Sequence, residues 1–198
     1  MRTFFVLACL LGLGIAQALA SPVDPDRIYN PGKLPPRASE LQVKKGDPAP
    51  DFTLPSVEGA KITLSDYRGS QYVVLSFVPA AFTPVCSDQW PGYNLGRDEL
   101  IKRETVVLGI TVDNIPALHA WTKDMGTFWF PVLSDFFPHG LVAQQYGVLR
   151  PEGVTERAVF IIDKNGVIRH AEVHDINERP RLEKLLDKLD EIRAEDAG

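Results

Sequence analysis

"SFVPAAFTPVCSDQW", residues Ser76 to Trp90, is an apolar, strand-like run that ends at Pro79, turns over small residues and reaches a cysteine where a helix begins. Thr83 and Pro84 mark the helix entry, since a hydroxyl residue suits the cap and a proline in the first turn loses no helical hydrogen bond. Cys86 then falls beside unpaired backbone N–H groups and the positive end of the helix dipole, both of which favour thiolate over thiol. Pro91, inside the same stretch, predicts a kink in the second turn.

Outward from this unit, strands and helices alternate. Tyr72 to Val78 and Val106 to Val112 are β-rich apolar runs, each leading into a segment with helical signals. The second segment opens at Asn114 as N-cap, has Pro116 in its first turn, and carries Leu118 and Trp121 at helical spacing. "RAVFIIDKNGVIRHAEV" reads as two strands around Asn165-Gly166, the dipeptide that best satisfies the positive φ angles of a tight hairpin. The C-terminal stretch sets Leu182, Leu185, Leu186, Leu189 and Ile192 on one face of a helix that should cover the sheet. The pattern predicts an α/β fold, a central mixed β-sheet flanked by helices.

The chain has 198 residues, 44% of them hydrophobic, which is ample for one packed domain. Its formal charge is −5 and it has no run of lysine or arginine, so nucleic acid is not an expected partner. Residues 1–20 read as a cleaved secretory signal: Arg2 supplies the positive region, Phe4 to Ile15 the apolar region, and Ala18-Leu19-Ala20 the cleavage site. Export to the periplasm or medium, with no stable membrane insertion after cleavage, is therefore expected; an uncleaved membrane anchor is the alternative, on an apolar stretch short for a span. Residues 21–45 hold Pro22, Pro25, Pro31, Pro35 and Pro36 and read as an extended proline-rich linker, so the domain is expected over 46–198. Cys9 lies in the leader, and its removal leaves Cys86 alone, a thiol that is either inert and buried or reactive.

Pro79-x-x-x-Thr83-x-x-Cys86 after a hydrophobic strand resembles the active-site motif of the peroxiredoxins, thiol peroxidases on a thioredoxin-like fold. "VLGITVDNIPALHAWTKDMG", "FPVLSDFFPHGLVAQQYGV" and "ERAVFIIDKNGVIRH" resemble further segments of that family, over roughly residues 46 to 192, nearest to its bacterial one-cysteine, AhpE-like members. The resemblance implies that Cys86 is the peroxidatic cysteine, that Thr83 hydrogen-bonds in the peroxide pocket, that Pro79 shields the thiolate and that Arg157 completes the site. It also implies a homodimer. Many members carry glutamate three residues after the cysteine, where this chain has Gln89.

The residue types suit that chemistry, because thiolate attack on a peroxide puts negative charge on the departing oxygen, and a guanidinium with backbone N–H donors stabilises it. Thr83 has a second reading as the helix cap. The expected activity is reduction of hydrogen peroxide or an organic hydroperoxide through a sulfenic acid that an external thiol, a thioredoxin-like protein or a small molecule, then reduces. No cofactor or metal is expected: His170 and His174 share one strand face but have no third ligand nearby in sequence. Thiol–disulfide exchange is an alternative, but it normally uses Cys-x-x-Cys, and Thr83 holds the first cysteine's place. A non-enzymatic redox sensor or binding module using Cys86 is the other.

Overall fold

A computed structural model describes residues 23–197 of the chain; the expected leader, with Cys9, lies outside the described residues. Seven strands and five α-helices run in the order β1 (Thr53–Pro55), β2 (Lys61–Thr63), β3 (Tyr72–Phe77), α1 (Pro84–Leu95), α2 (Arg97–Lys102), β4 (Thr105–Thr111), α3 (Ile115–Met125), β5 (Val132–Ser134), α4 (Leu141–Tyr146), β6 (Arg157–Ile162), β7 (Ile168–His174) and α5 (Leu182–Ala197). β1 and β2 form a small hairpin, and the other five make one sheet in the order β5-β4-β3-β6-β7. β3, β4 and β5 are parallel while β6 and β7 join antiparallel, which is the expected mixed sheet.

The central strands are apolar throughout because both of their faces are covered. Val74, Val107, Val159 and Ile161 face a core shared with α1, α3 and α5, whereas Val73, Leu75, Phe77, Leu108 and Phe160 pack with α4 and the β1–β2 hairpin. Leu185, Leu189 and Ile192 of α5 are buried, as the helical stripe requires. On α3, Asn114 caps the helix by accepting from the Ala117 N–H at 3.0 Å. The β6–β7 turn differs from the expected pair of positive φ angles: of the two residues only Gly166 adopts one, at +80°. Asp163 fixes the turn instead, its carboxylate accepting from the N–H groups of Asn165 at 2.9 Å and Val167 at 3.0 Å.

Residues 23–45 hold no strand or α-helix, only bends and one 3₁₀ turn, Pro25–Arg27, and they lie against the domain. The Val23 side chain is fully buried in the core that α1, α3 and α5 share with the sheet. Glu156 accepts the N–H groups of Ala38 at 2.7 Å and Ser39 at 2.8 Å while paired with buried Arg150 at 2.8 Å, and Gln42 N–H donates to the Tyr146 carbonyl at 3.2 Å. Tertiary hydrogen bonds thus decide where this segment lies.

This segment passes close to Gly147. Its φ is +74°, and a Cβ there would stand 2.2 Å from the Glu40 carbonyl oxygen and 2.3 Å from the Gln42 nitrogen. Gly147→Ala combines a strained left-handed residue with a clash against backbone, together about 2 kcal/mol or more. The midpoint of thermal unfolding should fall by about 5 °C or more in a domain of this size. A midpoint within about 2 °C of wild type would mean that residues 40–42 do not rest on this glycine.

Candidate active site

β3 ends at Phe77 in the middle of the sheet, and the chain leaves through buried Val78 and Pro79 into the loop that starts α1. That loop is held from two sides. Ala81 N–H donates to the Asp113 carboxylate at 2.8 Å, and the Phe82 carbonyl accepts from Tyr29 N–H at 2.8 Å. Phe82 has φ +54°, a conformation that a bulky residue keeps only when its surroundings impose it.

Thr83 takes the N-cap position with an extended backbone, but its hydroxyl makes no cap hydrogen bond; it donates to the Ala80 carbonyl at 2.9 Å. Cys86 is the third residue of α1, in the turn whose N–H groups have no intrahelical acceptor. α1 runs without interruption from Pro84 to Leu95, through Pro91. Its buried side chains, Cys86, Gln89, Trp90 and Tyr93, recur at helical spacing toward the sheet.

Arg157, the first residue of β6, lies 71 positions from Cys86 in sequence, and its Nη2 donates to the Cys86 sulfur at 3.4 Å. Each of the two residues is 1% exposed. The Ile176 carbonyl receives Nε at 3.2 Å and Nη2 at 3.0 Å, and Gln89 Oε1 receives Nη1 at 2.5 Å. Among the described residues no carboxylate pairs with this guanidinium. A buried guanidinium favours negative charge placed beside it. The Cys86 sulfur is the group that the guanidinium reaches on the cavity side.

Gln89 bonds to side chains rather than to backbone. While Oε1 faces Arg157, its Nε2 donates to Ser76 Oγ at 3.1 Å and to Tyr93 OH at 3.4 Å. Burial holds the Tyr93 phenol above its ordinary range, so it stays neutral. Ser76 also accepts the Trp90 indole N–H at 3.1 Å, and Trp121 donates to Ser87, next to Cys86, at 3.0 Å. The two indoles pack at a tilt of 42° with centroids 5.1 Å apart, and Gly109 in β4 makes room, since a Cβ there would stand 2.8 Å from the Trp90 ring.

A cavity of about 400 Å³ opens at this point. Pro79, Thr83, Cys86 and Arg157 all line it, so the four residues expected from sequence converge on one space. Sequence reading missed three contributors. Ser76 carried a signal, because a hydroxyl in an otherwise apolar central strand has to find a partner. Ile176 acts through its backbone and Tyr29–Leu34 through a tertiary contact, and neither leaves a mark in a one-dimensional pattern.

The histidines lie apart from this cavity. On β7, His170 and His174 flank Glu172, at 3.1 Å and 3.5 Å, and burial holds His174 below its usual range.

Fold and site together describe a buried thiol, the one among the described residues, presented at a helix N-terminus beside a mixed sheet and faced by a guanidinium. The AhpC/TSA family model matches residues 45–171, and the chain belongs to that family, the peroxiredoxins, which are peroxidases. Alkyl hydroperoxide reductase E of Mycobacterium tuberculosis is 40% identical over 129 residues, covering 65% of this chain and 84% of the relative. The chloroplastic 2-cysteine peroxiredoxin of Chattonella marina is 35% identical over 162 residues, 77% of this chain and 82% of that one. Among solved structures, reduced Plasmodium vivax 2-Cys peroxiredoxin superimposes with a TM-score of 0.73 at 27% identity, over 77% of this chain and 83% of the other. The fold is therefore the thioredoxin-like peroxiredoxin fold.

Proposed function

We propose that Cys86 is the nucleophile of a thiol peroxidase that works through a sulfenic acid and is returned to thiol by an external reductant. The observation that carries this reading is the buried Arg157 guanidinium, 3.4 Å from sulfur and without a carboxylate partner among the described residues. Cys86 S⁻ attacks one peroxide oxygen, the S–O bond forms as the O–O bond breaks, and the departing oxygen takes a proton to leave as water or alcohol. Sulfur gives up the two electrons that the peroxide gains. Arg157 and the first-turn N–H groups of α1 stabilise charge as it moves from sulfur to the departing oxygen. Thr83 offers its hydroxyl oxygen to the incoming peroxide, and Pro79 keeps water from one side of the sulfur.

Cys86 is the one free cysteine among the described residues, so the reductant comes from outside them. A first external thiol converts the sulfenic acid to a mixed disulfide with loss of water, and a second releases the Cys86 thiol together with the external disulfide. A thioredoxin-like protein or a small thiol fills that role. The test is one equivalent of peroxide followed by mass spectrometry of Cys86, beside turnover with added thiol. A gain of one oxygen atom with thiol-dependent turnover supports the reading; oxidation that ends in a crosslinked dimer, without turnover, favours a redox sensor.

Export with cleavage after Ala20 and assembly as a homodimer belong to the same reading. The leader pattern supports the first. Exposed Phe136, Phe137 and Leu141, an apolar group at one edge of the domain, support the second.

A further inference from the structure

Residues 23–36 precede the stretch that matches the family, which starts at residue 45, yet six of them, Tyr29 to Leu34, line the cavity that holds Cys86. This strap is fixed on both sides of the cavity. At its start Val23 is buried, and Arg27 pairs with Asp124 while standing 5.1 Å over the Phe82 ring. Tyr29 N–H donates to the Phe82 carbonyl, in the loop that delivers Thr83. At its end Leu34 exchanges two hydrogen bonds with Asn177, N–H to Oδ1 at 3.0 Å and Nδ2 to the carbonyl at 2.9 Å. Beyond it the Pro35 carbonyl accepts from Arg150 at 3.2 Å and that of Pro36 from Ile176 N–H at 3.2 Å. Ile176 is also the residue whose carbonyl holds Arg157.

The cavity, which is open to solvent on one side, exceeds what hydrogen peroxide needs. A water occupies about 30 Å³, so a molecule with two oxygen atoms needs roughly 60 Å³. The cavity holds about 400 Å³, within the range of small organic ligand sites. Its lining includes Pro31, Leu34, Pro79, Val85, Val154 and Ile176, and an apolar lining gains free energy by covering an apolar ligand.

Resting on the peroxidase reading above, we propose that Tyr29–Leu34 is a specificity-determining wall that seats the apolar substituent of an organic hydroperoxide while its O–O group meets Cys86. The protein then discriminates among peroxides by what the O–O group carries, and the discriminating surface comes from a segment ahead of the family-matched domain.

The experiment measures second-order oxidation of Cys86 by cumene hydroperoxide and by hydrogen peroxide. It uses the full mature chain, as wild type, as Tyr29→Ala/Leu34→Ala, and as the conservative Tyr29→Phe/Leu34→Met. The ratio of the cumene to the hydrogen peroxide rate should fall about tenfold in the double alanine variant and return to within about threefold of wild type in the conservative one. A ratio unchanged in the alanine variant, or both rates falling in equal proportion, overturns the proposal. Wild-type protein with a free Cys86 thiol that reacts with neither peroxide refutes the peroxidase reading, and this inference with it.

Discussion

Cys86→Ser should reduce peroxide consumption to the background rate. Oxygen replaces sulfur in nearly the same volume, and the residue is 1% exposed at a packed position, so the fold should hold. The serine hydroxyl is not ionised near neutrality and has no adjacent general base, since its neighbours are a guanidinium and N–H donors. The substitution therefore removes the proposed nucleophile and leaves the surrounding surfaces in place. Thiol-dependent peroxide consumption measured on the variant, with thermal unfolding as a control, decides the matter. Retained turnover in a folded Cys86→Ser protein would sink the assignment of the nucleophile.

Loss of the guanidinium is the next largest effect. Arg157→Ala should slow oxidation of Cys86 by roughly 30-fold to 1000-fold, because one preorganised donor at a developing charge is worth about 2 to 4 kcal/mol. Three nitrogens of Arg157 make four hydrogen bonds, to Cys86, Gln89 and twice to Ile176. Lysine is a point charge on a flexible stem and cannot hold all three partners, so Arg157→Lys should recover only part of the rate. The measurement is the second-order rate with hydrogen peroxide across pH for wild type and both variants, with thiol content titrated in each. Equal rates for Arg157→Ala and wild type at every pH would mean that the guanidinium takes no part in the reaction.

Much of this site is legible along the chain because its parts are local. Ser76 to Trp90 carries strand, loop, cap and nucleophile in fifteen consecutive residues, and each feature has a short-range cause: β-rich apolar residues, Pro79, small residues, Pro84. The asparagine cap of α3 and the leucine stripe of α5 are equally local, and the structure has both. Reading along the chain falls short where the cause is distant. Thr83 reads as a cap, but the loop conformation at Phe82 carries the chain so that its hydroxyl meets Ala80. Asn165-Gly166 suggests two positive φ angles, but an aspartate two residues earlier closes the turn with one. The prolines of residues 21–45 look like a free linker because proline reports stiffness and not location. Glu156, Asn177 and Gly147, more than a hundred positions away, set where that segment lies.

The hydrogen bonds around Gln89 give the protein an optical readout of its own chemistry. Cys86, Arg157, Gln89, Ser76 and the Trp90 indole form one connected series, and Trp121 reaches the residue after Cys86. Indole emission responds to its polar surroundings, so the oxidation of Cys86 proposed above, at one end, should change the light emitted at the other. Rapid-mixing fluorescence after peroxide addition should therefore follow single turnovers without a label. Emission unaltered while mass spectrometry records oxidised Cys86 would mean that the two indoles are electrically insulated from the sulfur.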